Sequence, residues 1–113
     1  MINRFAAFGA VLLLLAGCVS FPDAPPPTAT PQIAGDAFIS ADGTRLGLTT
    51  WKAADPVAAL IAVHGMNDYA GAFFYAGPYW AERGLSVYAF DQRGFGRTPT
   101  FGRWAGGEAM KQD

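Results

Sequence analysis

Three chemically useful side chains are scarce in this chain of 113 residues. Cys18 is its one cysteine, His64 its one histidine, and Ser20, Ser40 and Ser86 its only serines. A single cysteine excludes an intramolecular disulfide, and in an exported protein an odd cysteine calls for its own explanation. Charge is also thin, at 15% of residues with a formal net charge of -1. Arg4 is the only charged residue ahead of Cys18, and without it seven basic residues stand against nine acidic ones, a formal -2. No basic stripe or patch is present, so a nucleic-acid partner is set aside. What is plentiful is apolar surface, 51% of residues, enough for burial to offset chain entropy in one modest globular domain.

Part of that hydrophobicity belongs to the N-terminus. Met1 to Arg4 form a short positive stretch, and residues 5–16 form an apolar run of about a dozen residues. A helix crossing roughly 30 Å of hydrocarbon takes about 20 residues, so this run fits the core of a secretory signal instead. It ends in Leu15-Ala16-Gly17-Cys18, which resembles the bacterial lipobox. That resemblance implies cleavage before Cys18 and diacylation of its sulfur, making a lipid bilayer the partner and the bacterial cell envelope the location. Val19 follows the cysteine where aspartate would signal inner-membrane retention in enteric bacteria, so the outer membrane is the expected destination. Residues 21–31 then hold five prolines in eleven positions. Proline fixes φ and removes amide donors, so this stretch reads as a semi-extended tether. The expected division is a signal at 1–17, a lipidated cysteine and tether at 18–35, and a folded domain at 36–113.

In the folded part, residues 37–40 and 45–52 read as strands joined by Ala41-Asp42-Gly43-Thr44, where Asp-Gly signals a hairpin. Residues 58–63 (AALIAV) and 85–90 (LSVYAF) are continuous apolar runs, the pattern of parallel strands buried on both faces. Between them, residues 73–83 suit a helix, with Pro78 better placed in its first turn than its interior. Arg83-Gly84 forms a stop, a cation followed by a residue tolerant of positive φ. Residues 91–102 read as a loop, and 107–113 as the start of another helix. Strand, helix and strand at this spacing imply a parallel crossover, and the fold class is α/β.

Open α/β sheets place their sites beyond the carboxyl ends of the strands. Two loops qualify here: His64-Gly65-Met66-Asn67-Asp68 and Asp91-Gln92-Arg93-Gly94-Phe95-Gly96-Arg97-Thr98. An apolar strand ending in His-Gly, then a helix, then a strand ending in DxRGxGxT resembles the opening of α/β-hydrolases. The nearest group holds monoacylglycerol lipases, lysophospholipases and related serine hydrolases. The resemblance spans residues 36–113, with the two motifs about 25 residues apart. It implies the N-terminal part of an α/β-hydrolase sheet, a hairpin followed by parallel strands with a crossover helix, left incomplete. It also implies that the residue after His-Gly, Met66, donates its backbone N–H to the oxyanion of a tetrahedral intermediate, with Gly65 allowing a tight turn. His64 is then structural and not the base of a triad. Asp91, Arg93, Gly94 and Gly96 support the site, Arg93 by pairing with carbonyls or carboxylates. Gly94-Phe95-Gly96 lacks the third glycine of a dinucleotide loop, since Pro99 stands at that spacing. No metal or organic cofactor is indicated.

The nucleophile is missing. An elbow reads GxSxG between strand and helix, and Ser86 comes closest in Gly84-Leu85-Ser86-Val87-Tyr88, with a tyrosine in place of the second glycine. Ser86 reads as a strand residue, and the resemblance puts the elbow, the acid and the base beyond Asp113. The expectation is an N-terminal fragment of a lipid-anchored serine hydrolase, inactive by itself, whose full-length form takes a small acyl-ester substrate. In the family's strand order the 58–63 strand lies between the 85–90 strand and the elbow strand. Without that neighbour it presents an open edge that invites aggregation. The alternatives are a non-enzymatic surface lipoprotein that binds a partner on this scaffold, a decayed gene product, or a hydrolase of peptide or haloalkane bonds. Phe73, Phe74, Tyr75, Tyr79 and Trp80 are expected in the core more than around an acyl group.

Overall fold

The computed structural model describes residues 23–113; the signal reading of residues 1–17 and the lipidation of Cys18 lie outside them. Five strands build one mixed sheet: β1 (Gln32–Ala34), β2 (Ala37–Ile39), β3 (Arg45–Trp51), β4 (Ala58–Ala62) and β5 (Leu85–Phe90). Their order is β1-β2-β3-β5-β4, with β4 parallel to β5 and every other neighbouring pair antiparallel. The class is α/β, the sheet of a partial α/β-hydrolase fold. The register of the parallel pair runs from Ala58 opposite Leu85 to Ala62 opposite Ala89, which brings the loops that follow both strands to one end.

The hairpin over 41–44 forms where Asp-Gly marks it. Gly43 takes φ 82°, Ser40 and Thr44 bond across the turn, and the Thr44 N–H donates to Asp42 Oδ1 at 2.8 Å. A second hairpin precedes it. Residues 32–35, assigned from the sequence to the tether, instead supply β1 and its turn to β2. Gly35 holds φ 64° at the first position of a two-residue loop, as II′ hairpin turns require. Nearby prolines masked this strand, since three residues are too few to show a period.

The helix expected over 73–83 divides into a 3₁₀ turn at Ala70–Phe73 and helix α1 at Ala76–Ala81. Pro78 then falls in the first turn of α1, where its missing N–H and set φ do no harm. Arg83 and Gly84 stop the chain as the sequence indicates. The Arg83 guanidinium donates to the Tyr79 carbonyl at 3.0 Å, and Gly84 takes φ 86°. A second helix, α2, covers Gly107–Gln112. Among the described residues no helix is long and apolar enough to cross a membrane.

The core lies on one face of the sheet. Val87, Ala89, Ala62 and Ala70 are buried there, with Trp51, Leu60, Phe73 and Trp80 packed around them. Burying a valine such as Val87 stabilises by about 1.5–3 kcal/mol. Gly77 allows the close approach of α1, because a Cβ there would lie 2.3 Å from the Trp51 indole. The opposite face is open. Ile33, Phe38, Leu48, Ala59, Ile61, Tyr88 and Phe90 line a hollow of about 350 Å³, with Asp113, just past the end of α2, at its rim. β4 therefore departs from the expectation of burial on both faces, and Ile61 is 71% exposed. Its apolar run reads as a two-sided strand, but no described element covers the second face or pairs with its outer edge.

Candidate functional site

His64 is the hinge between the loops that follow β4 and β5. The residue is 4% exposed. Nε2 accepts the Gln92 backbone N–H at 2.9 Å, and Nδ1 lies 2.8 Å from the Gly65 carbonyl oxygen. A nitrogen that accepts and another that faces a carbonyl define the neutral Nδ1–H tautomer. The Gln92 side-chain amide also donates, to the His64 carbonyl, and the Phe95 ring meets the imidazole edge-on at 5.7 Å. Every contact of this histidine goes to loop backbone or loop side chains. Gln92 had no sequence signal and completes the tie.

Beyond His64 the chain turns back at once. The Asp68 N–H donates to the Gly65 carbonyl at 3.2 Å, closing a four-residue turn with Met66 and Asn67 at its centre. Asn67 takes φ 63° and is the one non-glycine residue with positive φ among the described residues. A turn with positive φ at its third residue is of the type II kind, and asparagine is among the few side chains that accept it. This corrects the role given to Gly65, whose φ is not positive and whose Cβ would meet open space. The left-handed residue is Asn67. At the tip, the Met66 N–H donates to no acceptor among the described residues.

Asp91 organises the second loop. It is fully buried; its Oδ1 accepts the Ala70 N–H at 2.7 Å, and its Oδ2 accepts the Arg97 N–H at 2.9 Å and Arg97 Nε at 3.1 Å. One carboxylate thus joins the 3₁₀ turn to the far side of the DxRGxG loop. Gly96 and Gly47 make room for it, since a Cβ would come within 2.4 Å and 2.5 Å of its carboxyl atoms, respectively. Gly94, with φ 88°, lies under the backbone of Arg103.

Arg93 points away from this centre. Its guanidinium pairs with Asp42 at 2.6 Å and with Asp113 at 2.6 Å, and donates to Thr44 Oγ1 at 2.8 Å. The partners are carboxylates, clamping the hairpin turn to the end of α2. Hydrogen bonding from Arg93 holds the Asp42 carboxyl down at about 2, against desolvation that works the other way. The two carboxylates, Asp113 first, raise the Arg93 guanidinium further above its already high range.

A cavity of about 490 Å³ opens between the two loops, lined by Asn67, Asp68 and Tyr69 on one side and by Gly94, Phe95, Gly96 and the 101–104 segment on the other. Of the aromatic residues singled out from the sequence, Phe73 and Trp80 pack on the core, while Phe74, Tyr75 and Tyr79 stand exposed. None of the five lines the cavity; Tyr69, Phe95, Phe101 and Trp104 do. Ser86 is buried in β5 with its Oγ accepting the Ala53 N–H at 3.2 Å, the position of a strand residue. Among the described residues no cluster of histidine, cysteine, aspartate or glutamate could hold a metal ion.

The family model for serine aminopeptidase, S33, matches residues 54–113. A monoacylglycerol lipase of Mycolicibacterium smegmatis is 32% identical over 63 residues, covering 55% of this chain and 22% of the lipase. An uncharacterized abhydrolase domain-containing protein of Dictyostelium discoideum is 36% identical over 60 residues, covering 52% of this chain and 6% of that protein. The chain therefore spans under a quarter of the length of either relative. Among solved structures, an esterase from Exiguobacterium antarcticum aligns over 57% of this chain and 23% of its own, with TM-score 0.45 and 26% identity. A thioesterase domain from the curacin biosynthetic pathway covers 64% of this chain and 23% of its own, with TM-score 0.43 and 23% identity.

Proposed function

The chain belongs to the serine aminopeptidase S33 family, and we propose that it is the opening part of a lipid-anchored serine hydrolase that cleaves carboxylic esters. The observation that carries this reading is the Met66 amide. It stands at the tip of a turn whose base is tied to the DxRGxG loop through His64 and Gln92, and whose next residues, Asn67 and Asp68, line a 490 Å³ cavity. A fixed, unengaged N–H beside a cavity is the form of an oxyanion donor. The monoacylglycerol lipase relative supports an acylglycerol or similar acyl ester as substrate. Residues 1–17 would direct export, and acylated Cys18 would hold the domain at the cell envelope, on the outer membrane.

In this reading, the serine nucleophile, its acid and its base belong to sequence after Asp113. The open edge of β4, next to the parallel β5, is where the strand bearing the elbow would pair. The chain's own residues contribute the oxyanion turn, the His64–Gln92 tie that holds its base, and the Asp91 and Arg93 braces. The test begins with the gene. The reading frame is expected to continue past codon 113 into a GxSxG segment and later Asp and His. A stop codon there overturns the enzyme reading and favours a surface binding module or a decayed gene product.

In the full-length protein, Met66→Pro offers a direct check. Proline suits the second residue of a type II turn and deletes the N–H, so kcat on a monoacylglycerol or a p-nitrophenyl ester should fall by about 10²–10³ with the fold retained. Unchanged kcat would remove Met66 from the oxyanion site.

A further inference from the structure

We propose that the loop end of the domain, around the mouth of the cavity, is a surface that docks on a phospholipid bilayer. The proposal rests on the lipid-anchor part of the reading above and goes beyond it, because an anchor alone does not decide which face of the domain meets the membrane.

Two independent features meet at this end. The first is the exit of the tether. β3 runs antiparallel to β5, with Leu48 opposite Phe90 and Trp51 opposite Val87. The start of β3, and with it the 41–44 turn, therefore lies at the carboxyl end of β5, beside the candidate site. Arg93 bridges the two by gripping Asp42 and Thr44. The tether runs along this turn: the Thr28 and Ala29 N–H groups donate to the Ala41 carbonyl at 2.7 and 2.8 Å, and Gln112 Nε2 donates to the Pro25 carbonyl at 3.1 Å. Pro25 lies seven positions after Cys18, a reach of at most about 25 Å. An acyl chain on Cys18 would hold the loop end near the headgroups.

The second feature is what that end exposes. Met66, Tyr69, Phe74, Tyr75, Phe101 and Trp104 are all exposed, Tyr75 to 87%. All lie on the two loops or at the start of the helical segment, and the Ala70–Asp91 bond pins that segment to the carboxyl end of β5. No charged residue occurs from Tyr69 through Ala81. Tyrosine and tryptophan, apolar in body and polar at the tip, settle at the level of lipid headgroups. At the other end of the sheet, Lys52, Asp55 and Glu82 are exposed, with Val57 as the apolar exception. Charged side chains are exposed at both ends, Asp68, Arg97 and Arg103 beside the mouth among them, but the exposed aromatics gather at the loop end. They and the tether exit point the same way, and a docked mouth would receive an acyl ester straight from the bilayer.

The test uses the whole chain, purified from bacterial membranes and reconstituted in phosphatidylethanolamine/phosphatidylglycerol vesicles. An acylated Cys18 leaves no native thiol, so Tyr75→Cys and Asp55→Cys each carry one environment-sensitive fluorophore; Phe74→Cys repeats the first at a second exposed position. Mass spectrometry reads the acylation of Cys18 separately. The expected result is a blue-shifted probe at 74 and 75 that brominated acyl chains quench, with a water-like, unquenched probe at 55. Water-like emission at all three positions on an acylated chain overturns the docking surface and leaves the anchor standing. A probe at 75 that is shielded from aqueous iodide but untouched by brominated lipid means that protein covers the patch, which also overturns the proposal. An unmodified Cys18 overturns the anchor and this inference with it, while the ester-hydrolase reading is judged by its own assay.

Discussion

His64 and Gln92 are joined by two hydrogen bonds, both donated by Gln92 and accepted by His64. The Gln92 backbone N–H reaches the imidazole Nε2 at 2.9 Å, and the Gln92 side-chain amide reaches the His64 backbone carbonyl. Residues 28 positions apart thus hold the loops after β4 and β5 as one body. His64→Ala leaves the half-buried Gln92 N–H without its acceptor and should lower stability by about 1–3 kcal/mol, read as a drop in the urea midpoint. Nitrogen-15 spectra of the imidazole should report the Nδ1–H tautomer; the other tautomer would remove the tie as described.

Asp42 gives the hairpin a defined acid limit. Its carboxyl sits at about 2 in the fold against an ordinary 3.8. A lowered folded value means stability that is complete above pH 4 and disappears as the pH falls through the folded value. Between pH 5 and pH 2 the chain should lose about 2 kcal/mol through this group. Asp42→Asn should flatten that part of the stability profile. An unchanged slope would show that Arg93 does not hold the carboxylate.

Removing Arg93 is the harsher change. Arg93→Met would leave Asp42 and Asp113, both with nearly buried side chains, facing each other without a cation. Breaking a buried ion pair by removing one partner costs about 3–5 kcal/mol. Chemical denaturation should show Arg93→Met far less stable than Asp42→Asn, and near-equal midpoints would count against the clamp.

The glycines divide into two groups by what surrounds them. Gly96→Ala sets a methyl group against the Asp91 carboxyl at a position with φ 48°, and should destabilise by about 3 kcal/mol or more. Gly65→Ala meets open space at ordinary φ and should change stability by less than about 1 kcal/mol. Thermal melts of the two variants would settle the order.

Expressed by themselves, residues 23–113 should self-associate through the bare edge and open face beyond β4. No charge or proline interrupts residues 57–63, so nothing blocks edge pairing. Ile61→Lys places a charge on the open face and should lower the sedimenting mass at a given concentration. A monomer with wild-type Ile61 would remove the edge from consideration.

Patterns confined to neighbouring residues were legible in the amino-acid sequence: the apolar runs of β4 and β5, the Asp-Gly hairpin, the Pro78 and Arg83-Gly84 limits of the helix, and the two motif loops. Each depends on local sterics or on burial along a single element, which is information that short stretches contain. Tertiary structure decided the rest. It set β1 in the sheet from a segment too short to show a period, and gave the left-handed turn to Asn67 and not to Gly65. It also chose which carboxylates meet Arg93 and which aromatics line the cavity. Those outcomes depend on groups far apart in the chain arriving at one place. Gln92 and His64, or Asp42 and Arg93, acquire their roles only once β3, β4 and β5 lie side by side and bring the loops at their ends within hydrogen-bond reach.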